Sequence, residues 1–326
     1  MDLICLGELL VDMVPAELGR SLGEVSAFYP KPGGAPANVA VAAARLGAQS
    51  AFIGKVGDDP FGHHLAEVLR QTGVDISGVR FDKETRTTMA FFAKPDENTA
   101  EYMFYRNPGA DMMLDVNDLD VAHISKARAL HIGSITLIQE PSRSATLKSV
   151  ELAKSSGAFL SFDVNYRPSL WDGPQRAKQR ILAMIPQADV LKVNEVELGL
   201  LTGTQNLEHG SKALLQMGPQ LVVVTLGPDG SFFRCDAGFQ SASGFQVQTI
   251  DAVGCGDAFL AGLLIQLLAE NDWREALSVY RLGEILRYAN AVGALTATKA
   301  GVIPALPTAE QVSRFLDDQV SVMGRK

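Results

Sequence analysis

Short apolar runs alternate with longer amphipathic segments along most of the chain. The apolar runs have the length of buried strands, and the amphipathic segments show the repeat of helices with one apolar face. The runs predicted as strands are residues 3–7, 50–56, 128–133, 158–163, 188–193 and 220–225. The segments predicted as helices include residues 60–72, 141–156, 174–186 and 207–217. This alternation predicts an α/β fold on a mostly parallel, doubly wound sheet.

Two runs rich in β-forming residues interrupt this alternation, and a turn-like segment joins them. The two runs and the turn are residues 86–93, 101–106 and 95–98. We predict a β hairpin here, inserted into the α/β chain as a lid or as a dimer surface. The alternation of apolar Met89, Phe91 and Phe104 indicates an exposed apolar face, which favours a homodimer formed through the lid.

A glycine turn late in the chain is the strongest candidate for chemistry. Residues 251–257, DAVGCGD, come directly before an apolar helix-forming run at 258–269. Such a turn leaves backbone N–H groups unpaired at a helix N-terminus, where the helix dipole adds partial positive charge, so it predicts an anion site. Asp257 would repel a simple phosphate ligand. A carboxylate at this position suits a general base beside a transferring phosphoryl group.

Three predicted strands of the second half end in polar residues. These endings are 163–167 (DVNYR), 192–197 (KVNEVE) and 225–230 (TLGPDG). Because the carboxyl ends of parallel strands meet at one edge of a sheet, they predict a ligand site there. Asn194 and Glu197 at a strand-to-helix junction would suit the magnesium carried by ATP, and helix capping by Asn194 is the alternative.

Polar residues of the first half each leave two interpretations open. Asp12 follows the first strand closely and is either a ligand contact or a solvated loop carboxylate. Residues 33–46 predict a glycine turn that opens an alanine-rich helix. Asn38 is the one strongly polar side chain at that helix start, and taken alone it favours a cap over a ligand contact. Arg106, at the end of the predicted hairpin, is either a site residue or a surface charge.

Composition and charge narrow the class of protein. The chain has 326 residues, 47% of them hydrophobic and 20% charged, which is typical of a globular fold with a large core. A net charge of -8 and a pI near 5.2 argue against a nucleic-acid partner. Three cysteines far apart indicate a reducing cytoplasm, and neither a targeting segment nor a membrane-spanning run is evident.

Several familiar motifs are absent from the sequence. There is no Walker loop, no protein-kinase motif set and no GxGxxG after the first strand, so these nucleotide-binding classes are not indicated. The five histidines are isolated or adjacent and lack the paired spacing of metal ligands.

The motifs that are present resemble those of one family. GGAPAN at 33–38, NEVE at 194–197 and DAVGCGD at 251–257 are similar in order and spacing to the signatures of the ribokinase-like (PfkB) carbohydrate kinases. Within that family the chain is most similar to the fructokinases. That closer resemblance rests on AFIGKVGDD at 51–59, FYRNP at 104–108 and HIGSI at 131–135.

The resemblance implies a three-layer ribokinase-like fold as a single domain over residues 1–326, with a small β lid from inserted segments near 12–32 and 86–110. It implies ATP- and magnesium-dependent transfer of a phosphoryl group to the 6-hydroxyl of D-fructose. Asp257 would be the general base, and backbone N–H groups of Gly254, Cys255 and Gly256 would form an anion hole. The alternatives are 2-keto-3-deoxygluconate or another sugar as substrate, and a catalytically silent sugar-binding or regulatory relative.

The family's binding positions map onto this sequence in three groups. The sugar-side residues would be Asp12, Gly33, Gly34, Asn38, Arg106 and Arg167. The residues on the nucleotide and magnesium side would be Lys192, Asn194, Glu197, Thr225, Gly227, Gly230 and Asn290. A monovalent cation, K⁺ in this family, would be bound near Asp251, Val253, Thr296, Lys299 and Gly301.

The late motif departs from the family pattern at two positions. Ala252 stands where the family has threonine, and Cys255 stands where it has alanine. Both changes should be tolerated, because the donors of the anion hole are backbone groups. Since a helix N-terminus lowers the pKa of a cysteine, we hypothesise that Cys255 makes the enzyme mildly sensitive to peroxide.

Overall fold

The apolar runs of the chain become strands of a nine-stranded sheet in the computed structural model, which describes residues 1–96, 99 and 101–323. A second sheet has four strands. In chain order the strands are β1 (Leu3–Leu6), β2 (Leu10–Pro15), β3 (Phe28–Gly33), β4 (Ser50–Gly57), β5 (Asp75–Asp82), β6 (Met89–Ala93), β7 (Glu101–Tyr105), β8 (Ala129–Gly133), β9 (Phe159–Asp163), β10 (Val190–Asn194), β11 (Leu221–Thr225), β12 (Gly230–Cys235) and β13 (Gly238–Ser243).

Helices connect most of these strands, and short 3₁₀ turns complete the connections. In chain order the helices are α1 (Ala35–Arg45), α2 (Pro60–Gln71), α3 (Val121–Ile124), α4 (Ser142–Ser155), α5 (Pro174–Met184), α6 (Glu195–Thr202), α7 (Leu207–Leu215), α8 (Cys255–Leu268), α9 (Val279–Ala297), α10 (Val302–Ala305) and α11 (Ala309–Met323). Several begin as the sequence predicts. For example, Asp59 caps α2 by accepting a hydrogen bond from Gly62 N–H at 2.9 Å.

The large sheet has the order β13-β12-β11-β10-β9-β8-β1-β4-β5. Every neighbouring pair from β11 to β5 is parallel, whereas β12 and β13 pair antiparallel at one edge. The predicted mostly parallel, doubly wound sheet is therefore confirmed. The carboxyl ends of β9, β10 and β11 lie side by side, because Asp163 pairs with Lys192 and Asn194 pairs with Thr225.

Two apolar cores cover the two faces of this sheet. Leu3 and Cys5 of β1 belong to one core, together with the buried faces of α1, α8 and α9. Ile4 and Leu6 point the other way and belong to a second core with α4, α5 and α7. Successive side chains of a strand face opposite sides, so a continuous apolar strand such as β1 needs helices on both faces. The result is the predicted three-layer fold.

The small sheet has the order β3-β2-β6-β7 and forms a lid. β6 and β7 pair antiparallel, which confirms the predicted hairpin, although positions 97 and 98 of its predicted turn lie outside the described residues. Phe104 pairs with Ala90, not with Met89 or Phe91. Because directly opposite residues share a face, Phe104 faces away from Met89 and Phe91, and the predicted single apolar face was wrong.

Other differences lie in segments with mixed polarity. The sequence analysis did not identify β5, an edge strand whose residues are mostly half-buried or exposed, and of α6 it located only the start. The apolar run after the glycine turn becomes α8, whose side chains are buried largely against α1 and α9. None of the helices described is long and apolar enough to cross a membrane.

Candidate active site

The glycine turn lies at the N-terminus of α8, as the sequence predicts. Gly254 adopts φ 79° and caps the helix, and a Cβ atom there would collide with Val302, so only glycine fits without rearrangement. The Cys255 N–H makes only a long 3.4 Å contact with the Ala252 carbonyl. The first N–H groups of a helix have no intrahelical acceptors, so the geometry of this turn suits an anion.

Asp251 holds the glycine turn in place through two hydrogen bonds. One of its carboxylate oxygens accepts a hydrogen bond from Val253 N–H at 3.0 Å, and the other accepts from Gly301 N–H at 3.1 Å. Nearby, the Thr296 carbonyl accepts a 3.4 Å hydrogen bond from Lys299 N–H. The structure thus brings together the residues predicted around a monovalent cation. Within the described residues no cluster of three or more His, Cys, Asp or Glu side chains forms a metal site.

Asp257 is the acidic group of the turn, and it is buried with 8% of its surface exposed. Its carboxylate accepts a hydrogen bond from Asn38 Nδ2 at 2.8 Å, across 219 residues of sequence. The preference for Asn38 as a helix cap was therefore wrong, since the side chain points at Asp257 and makes no cap hydrogen bond. The second polar atom of Asn38, Oδ1, is buried and has no protein partner.

Burial and the neighbouring charges together set the pKa of Asp257 close to neutral pH. Burial raises the pKa of this carboxyl from 3.8 to about 6, although the Asn38 hydrogen bond and the positive charges of Lys192 and Arg167 favour the ionised form. The negative charge of Asp163 adds to the increase. A carboxylate with a pKa just below neutral pH is ionised under ordinary conditions and is basic enough to accept a proton.

Asp12, on lid strand β2, is a second acidic residue close to Asp257. Its carboxylate lies where a Cβ atom on Gly33 would have to sit, which explains the glycine at that position. Burial raises the Asp12 pKa to about 7, while the positive charge of Arg167 lowers it and Asp257 raises it further. Arg167 itself is exposed. Asp12, Asn38, Arg167 and Asp257 thus surround one region between the lid and α8.

Arg106 lies in a different, fully buried cluster. Its guanidinium Nε donates to the Asp111 carboxylate at 2.7 Å, and Asp111 also accepts a hydrogen bond from the Thr88 hydroxyl. The surface-charge alternative for Arg106 was wrong, since only 6% of the residue is exposed. The structure shows Arg106 paired with Asp111, and its assignment to the sugar remains a prediction.

Glu8 belongs to this second cluster and was not assigned a role from the sequence. Its Oε1 accepts a hydrogen bond from Ala35 N–H at 2.9 Å at the start of α1, and its Oε2 is buried without a protein partner. Burial raises the Glu8 pKa to about 7; nearby Asp111 contributes to the increase and Arg106 opposes it. Gly34 approaches the Glu8 backbone so closely that a side chain there would collide. Glu8 therefore supports the turn that carries Gly33, Gly34 and Asn38.

A cleft of about 420 Å³ lies on the other side of the glycine turn. It is lined by residues predicted on the nucleotide side, namely Asn194, Thr225, Gly227, Gly230 and Asn290. It is also lined by residues that the sequence analysis did not identify, including Phe245, Val247, Thr249, Gly293 and Ala294. Asn290 Nδ2 donates to the carbonyl oxygens of Ala242 and Ser243 at 3.0 and 3.2 Å, so it holds the cleft wall in place.

Lys192 lies between the two halves of the site. Its ammonium group lies 2.8 Å from Asp163 Oδ2 and only 3.2 Å from the position of a Cβ atom built on Gly256. Burial lowers its pKa, but the charges of Asp163, Glu197 and Asp257 outweigh this effect and raise the pKa above its ordinary value. A permanent positive charge therefore lies beside the glycine turn.

Asn194 and Glu197 form a reciprocal helix cap at the start of α6. Asn194 Oδ1 accepts from Glu197 N–H at 2.9 Å, and Glu197 Oε2 accepts from Asn194 N–H at 2.8 Å. Glu197 Oε1 accepts from Tyr166 N–H at 2.7 Å. The capping alternative for Asn194 is confirmed. Each oxygen keeps a lone pair, so the same groups still fit a water-mediated contact to a magnesium ion.

The surroundings of Cys255 oppose the reactivity predicted from its position. Burial raises the pKa of its thiol to about 11, and the charges of Asp251 and Asp257 act in the same direction. Burial and like charge thus outweigh the helix N-terminus, which would lower the pKa. Because the thiolate is the form that reacts with peroxide, the hypothesis of oxidant sensitivity loses its physical basis.

Comparison with known proteins identifies the family. A model described as pfkB family carbohydrate kinase matches residues 1–309. The chain belongs to this family. The probable fructokinase-2 of Arabidopsis thaliana is 45% identical over 318 residues, which cover 97% of this pfkB kinase and 96% of the relative. The resemblance to the fructokinases is thereby confirmed, and the chain is a phosphotransferase of the carbohydrate kinase type.

Solved structures of fructokinases have the same fold as this pfkB kinase. A double-mutant fructokinase from Vibrio cholerae, solved with fructose, ADP and potassium, is 36% identical with a TM-score of 0.86, over 97% of this chain and 98% of that one. A fructokinase from Xylella fastidiosa with bound ATP is 31% identical with a TM-score of 0.89, over 98% of this chain and 99% of that one. These proteins bind the classes of ligand that the motifs predict.

Proposed function

We propose that this pfkB kinase transfers the γ-phosphoryl group of ATP to the 6-hydroxyl of D-fructose. The observation that carries the proposal is the buried Asp257, which sits at the anion-binding turn and accepts a hydrogen bond from Asn38 on the sugar side. The fructokinase relatives and the fructose bound to the Vibrio structure support the choice of sugar.

The chain's own residues divide the work of the reaction. Asp257 accepts the proton of the sugar hydroxyl as the oxygen attacks the γ-phosphorus, and its pKa of about 6 suits this role. The N–H groups of Gly254, Cys255 and Gly256 donate to the phosphoryl oxygens as negative charge shifts between them. Lys192 adds its positive charge at the same place.

Sugar recognition would depend on charged and amide side chains. Asp12 accepts hydrogen bonds from sugar hydroxyls, and the free Oδ1 of Asn38 accepts another, which would satisfy a buried atom that lacks a protein partner. Arg167 lies close enough to Asp12 and Asp257 to affect their pKa values, so it faces the same ligand. Gly33, Gly34 and Arg106 complete the proposed sugar side.

ATP would occupy the 420 Å³ cleft, with its phosphates directed at the glycine turn. Magnesium would be held through water by Asn194 and Glu197, and when bound it neutralises charge on the β- and γ-phosphates. Potassium, the ion bound in the Vibrio structure, would be held here by oxygen atoms of the two segments that Asp251 joins. Such an ion supports the shape of the turn.

We propose a single ribokinase-like domain over residues 1–326 whose lid comes from segments near 12–32 and 86–110. We also propose a homodimer formed through the lid. The lid face opposite to Asp12 carries Met103 and Tyr105, which are 44% and 62% exposed. A second copy would cover this face. The three free thiols favour a reducing compartment, the cytoplasm.

The oligomer proposal has a simple test in solution. Tyr105→Asp should convert a dimer to a monomer in size-exclusion chromatography with light scattering. Tyr102→Asp, on the opposite lid face, is the control and should leave the mass unchanged. A wild-type protein that is monomeric at all concentrations would contradict the proposal.

The catalytic proposal is tested by a coupled ADP-release assay over a panel of sugars. Fructose should give the highest kcat/KM, and ³¹P NMR of the product should show phosphate on the 6-position. If 2-keto-3-deoxygluconate is the better substrate, the sugar assignment falls and the kinase assignment remains. If no sugar gives turnover above Asp257→Asn, the chain is a silent sugar-binding or regulatory relative.

A further inference from the structure

Lys192, which has a role in the proposed function, forms a buried ion pair on the large sheet with Asp163, which has none. Asp163 at the end of β9 pairs directly across the sheet with Lys192 of β10. Their side chains meet at 2.8 Å, and the residues are only 2% and 6% exposed. A buried ion pair is weak evidence for stability, because desolvation of both charges offsets much of their attraction. Its position therefore has to be explained by something else.

The ammonium group of Lys192 lies beside the glycine turn. The group lies against Gly256, the last of the proposed anion-binding residues, and its charge acts on Asp257. Lysine has a long, flexible side chain, which without a partner would sample many rotamers or turn towards water. An ammonium group kept at this place needs an anchor on its other side.

Asp163 has the geometry of such an anchor. Its Oδ1 accepts a hydrogen bond from Asn165 N–H at 3.2 Å, which leaves Oδ2 for Lys192. Asn165 has φ 37°, the one positive φ of a non-glycine residue in the described chain. Both ends of the aspartate are thus fixed by the sheet and by the turn after it, so the lysine is held by a rigid partner.

We propose that Asp163 is a positioning residue, which holds the Lys192 ammonium beside the phosphates of the bound nucleotide and against the transferring group. This inference rests on the proposed function. In the proposed arrangement Asp163 touches neither substrate. Its charge raises the pKa of Asp257, and its positioning role is exerted through Lys192. Its loss should therefore slow phosphoryl transfer and weaken the binding of the nucleotide phosphates, while the sugar is bound as before.

A double-mutant cycle tests this assignment. Lys192→Met should lower kcat by about 100-fold, as expected for the loss of one preorganised group that stabilises the transition state. Asp163→Asn should lower kcat by roughly tenfold or more. If Asp163 acts through Lys192, the double variant should be no slower than Lys192→Met alone. Losses that multiply, or a rise in the KM for sugar with an unchanged kcat, would overturn the proposal.

The same strand offers a matched control. Ser161 is buried two residues earlier on β9 and contacts His131 at 3.1 Å, so Ser161→Ala removes a polar contact without touching Lys192. It should leave kcat within about twofold of the wild type. Circular dichroism and thermal unfolding establish that each variant is folded. If Asp163→Asn is unfolded, the double variant, which removes both buried charges, is compared with Lys192→Met; a slower double variant contradicts the proposal.

Nucleotide binding separates this proposal from the proposed function. Calorimetry should show that Asp163→Asn weakens the binding of ATP by about tenfold and leaves the binding of adenosine unchanged, because adenosine has no phosphates. Equal effects on both ligands would overturn the positioning role. If the wild type phosphorylates no sugar, the proposed function fails, yet the selective loss of ATP affinity would still support Asp163.

Discussion

The two sides of the glycine turn differ in the chemical character of the residues that line them. The proposed sugar side presents charged and amide side chains, Asp12, Asn38, Arg167 and Asp257, drawn from distant parts of the chain. The proposed nucleotide side is a cleft whose walls include small residues such as Gly230 and Ala294 together with apolar ones such as Phe245. The sugar side should therefore respond to changes of charge and pH, and the nucleotide side to changes of volume.

Removal of the base should have the largest effect. Asp257→Asn keeps the shape of the side chain but cannot accept a proton, so kcat should fall by about 10² to 10⁴-fold, the usual contribution of a general base. Steady-state kinetics with saturating fructose and ATP measures this loss. Binding of fructose and ATP, followed by calorimetry, should stay within about tenfold. A variant that keeps more than a tenth of the wild-type kcat would remove Asp257 from its role.

A change of volume should act on the opposite side. Ala294 lines the nucleotide cleft from α9, and Ala294→Leu adds three carbon atoms there. We expect the KM for ATP to rise by about tenfold or more, because groups that overfill a pocket cost this much in binding. The KM for fructose should not change. Equal increases of both KM values would show that the two sides are not independent.

The hydrogen bond between Asn38 and Asp257 should be visible in the pH dependence of the rate. That bond lowers the pKa of Asp257 against the effect of burial, so Asn38→Leu should raise the pKa above its present value of about 6. Activity is lost as pH falls through this pKa, because the base becomes protonated. The acid limb of kcat against pH should therefore move up by about one unit, given the usual strength of a hydrogen bond to a charged group. A limb that stays in place or moves down would contradict this contact.

Glu8 should give the smallest effect, on stability and not on rate. Its pKa in the folded state is about 7, above the ordinary value of 4.5, so the contribution that Glu8 makes to stability is present at low pH and is lost as pH rises through 7. Glu8→Gln is neutral at every pH. Its Tm relative to the wild type should therefore be higher at pH 8.5 than at pH 5. A Tm difference that does not vary with pH would show that Glu8 keeps its ordinary pKa.

The sequence predicted the strands of the large sheet better than it predicted which side chains meet. Buried parallel strands such as β1 and β11 are continuous apolar runs, and they were identified directly. β5 was not, because an edge strand with exposed Ser77 and Phe81 has no such run. The face of Phe104 was misassigned because the parity between two hairpin strands depends on how the turn sets the pairing register, which local pattern does not specify.

The candidate site shows the same division. Glycine turns and polar residues at strand ends are local signals, so Gly254 with its neighbour Asp257, and Asn194, could be selected from sequence. Asn38 was interpreted as a cap because its partner lies far away in the chain. Glu8 gave no signal at all, since a buried carboxyl that supports a turn looks like any acidic residue after a strand.

The contact between Asn38 and Asp257 also has a consequence for the order of synthesis. The ribosome releases Asp12, Asn38 and the lid strands early, and β1 is the first strand of the large sheet to appear. The base follows 219 residues after Asn38. A nascent or truncated chain that ends before α8 therefore carries most of the proposed sugar side without the group that would activate the sugar. Catalysis can begin only after α8 has been made and has packed against α1.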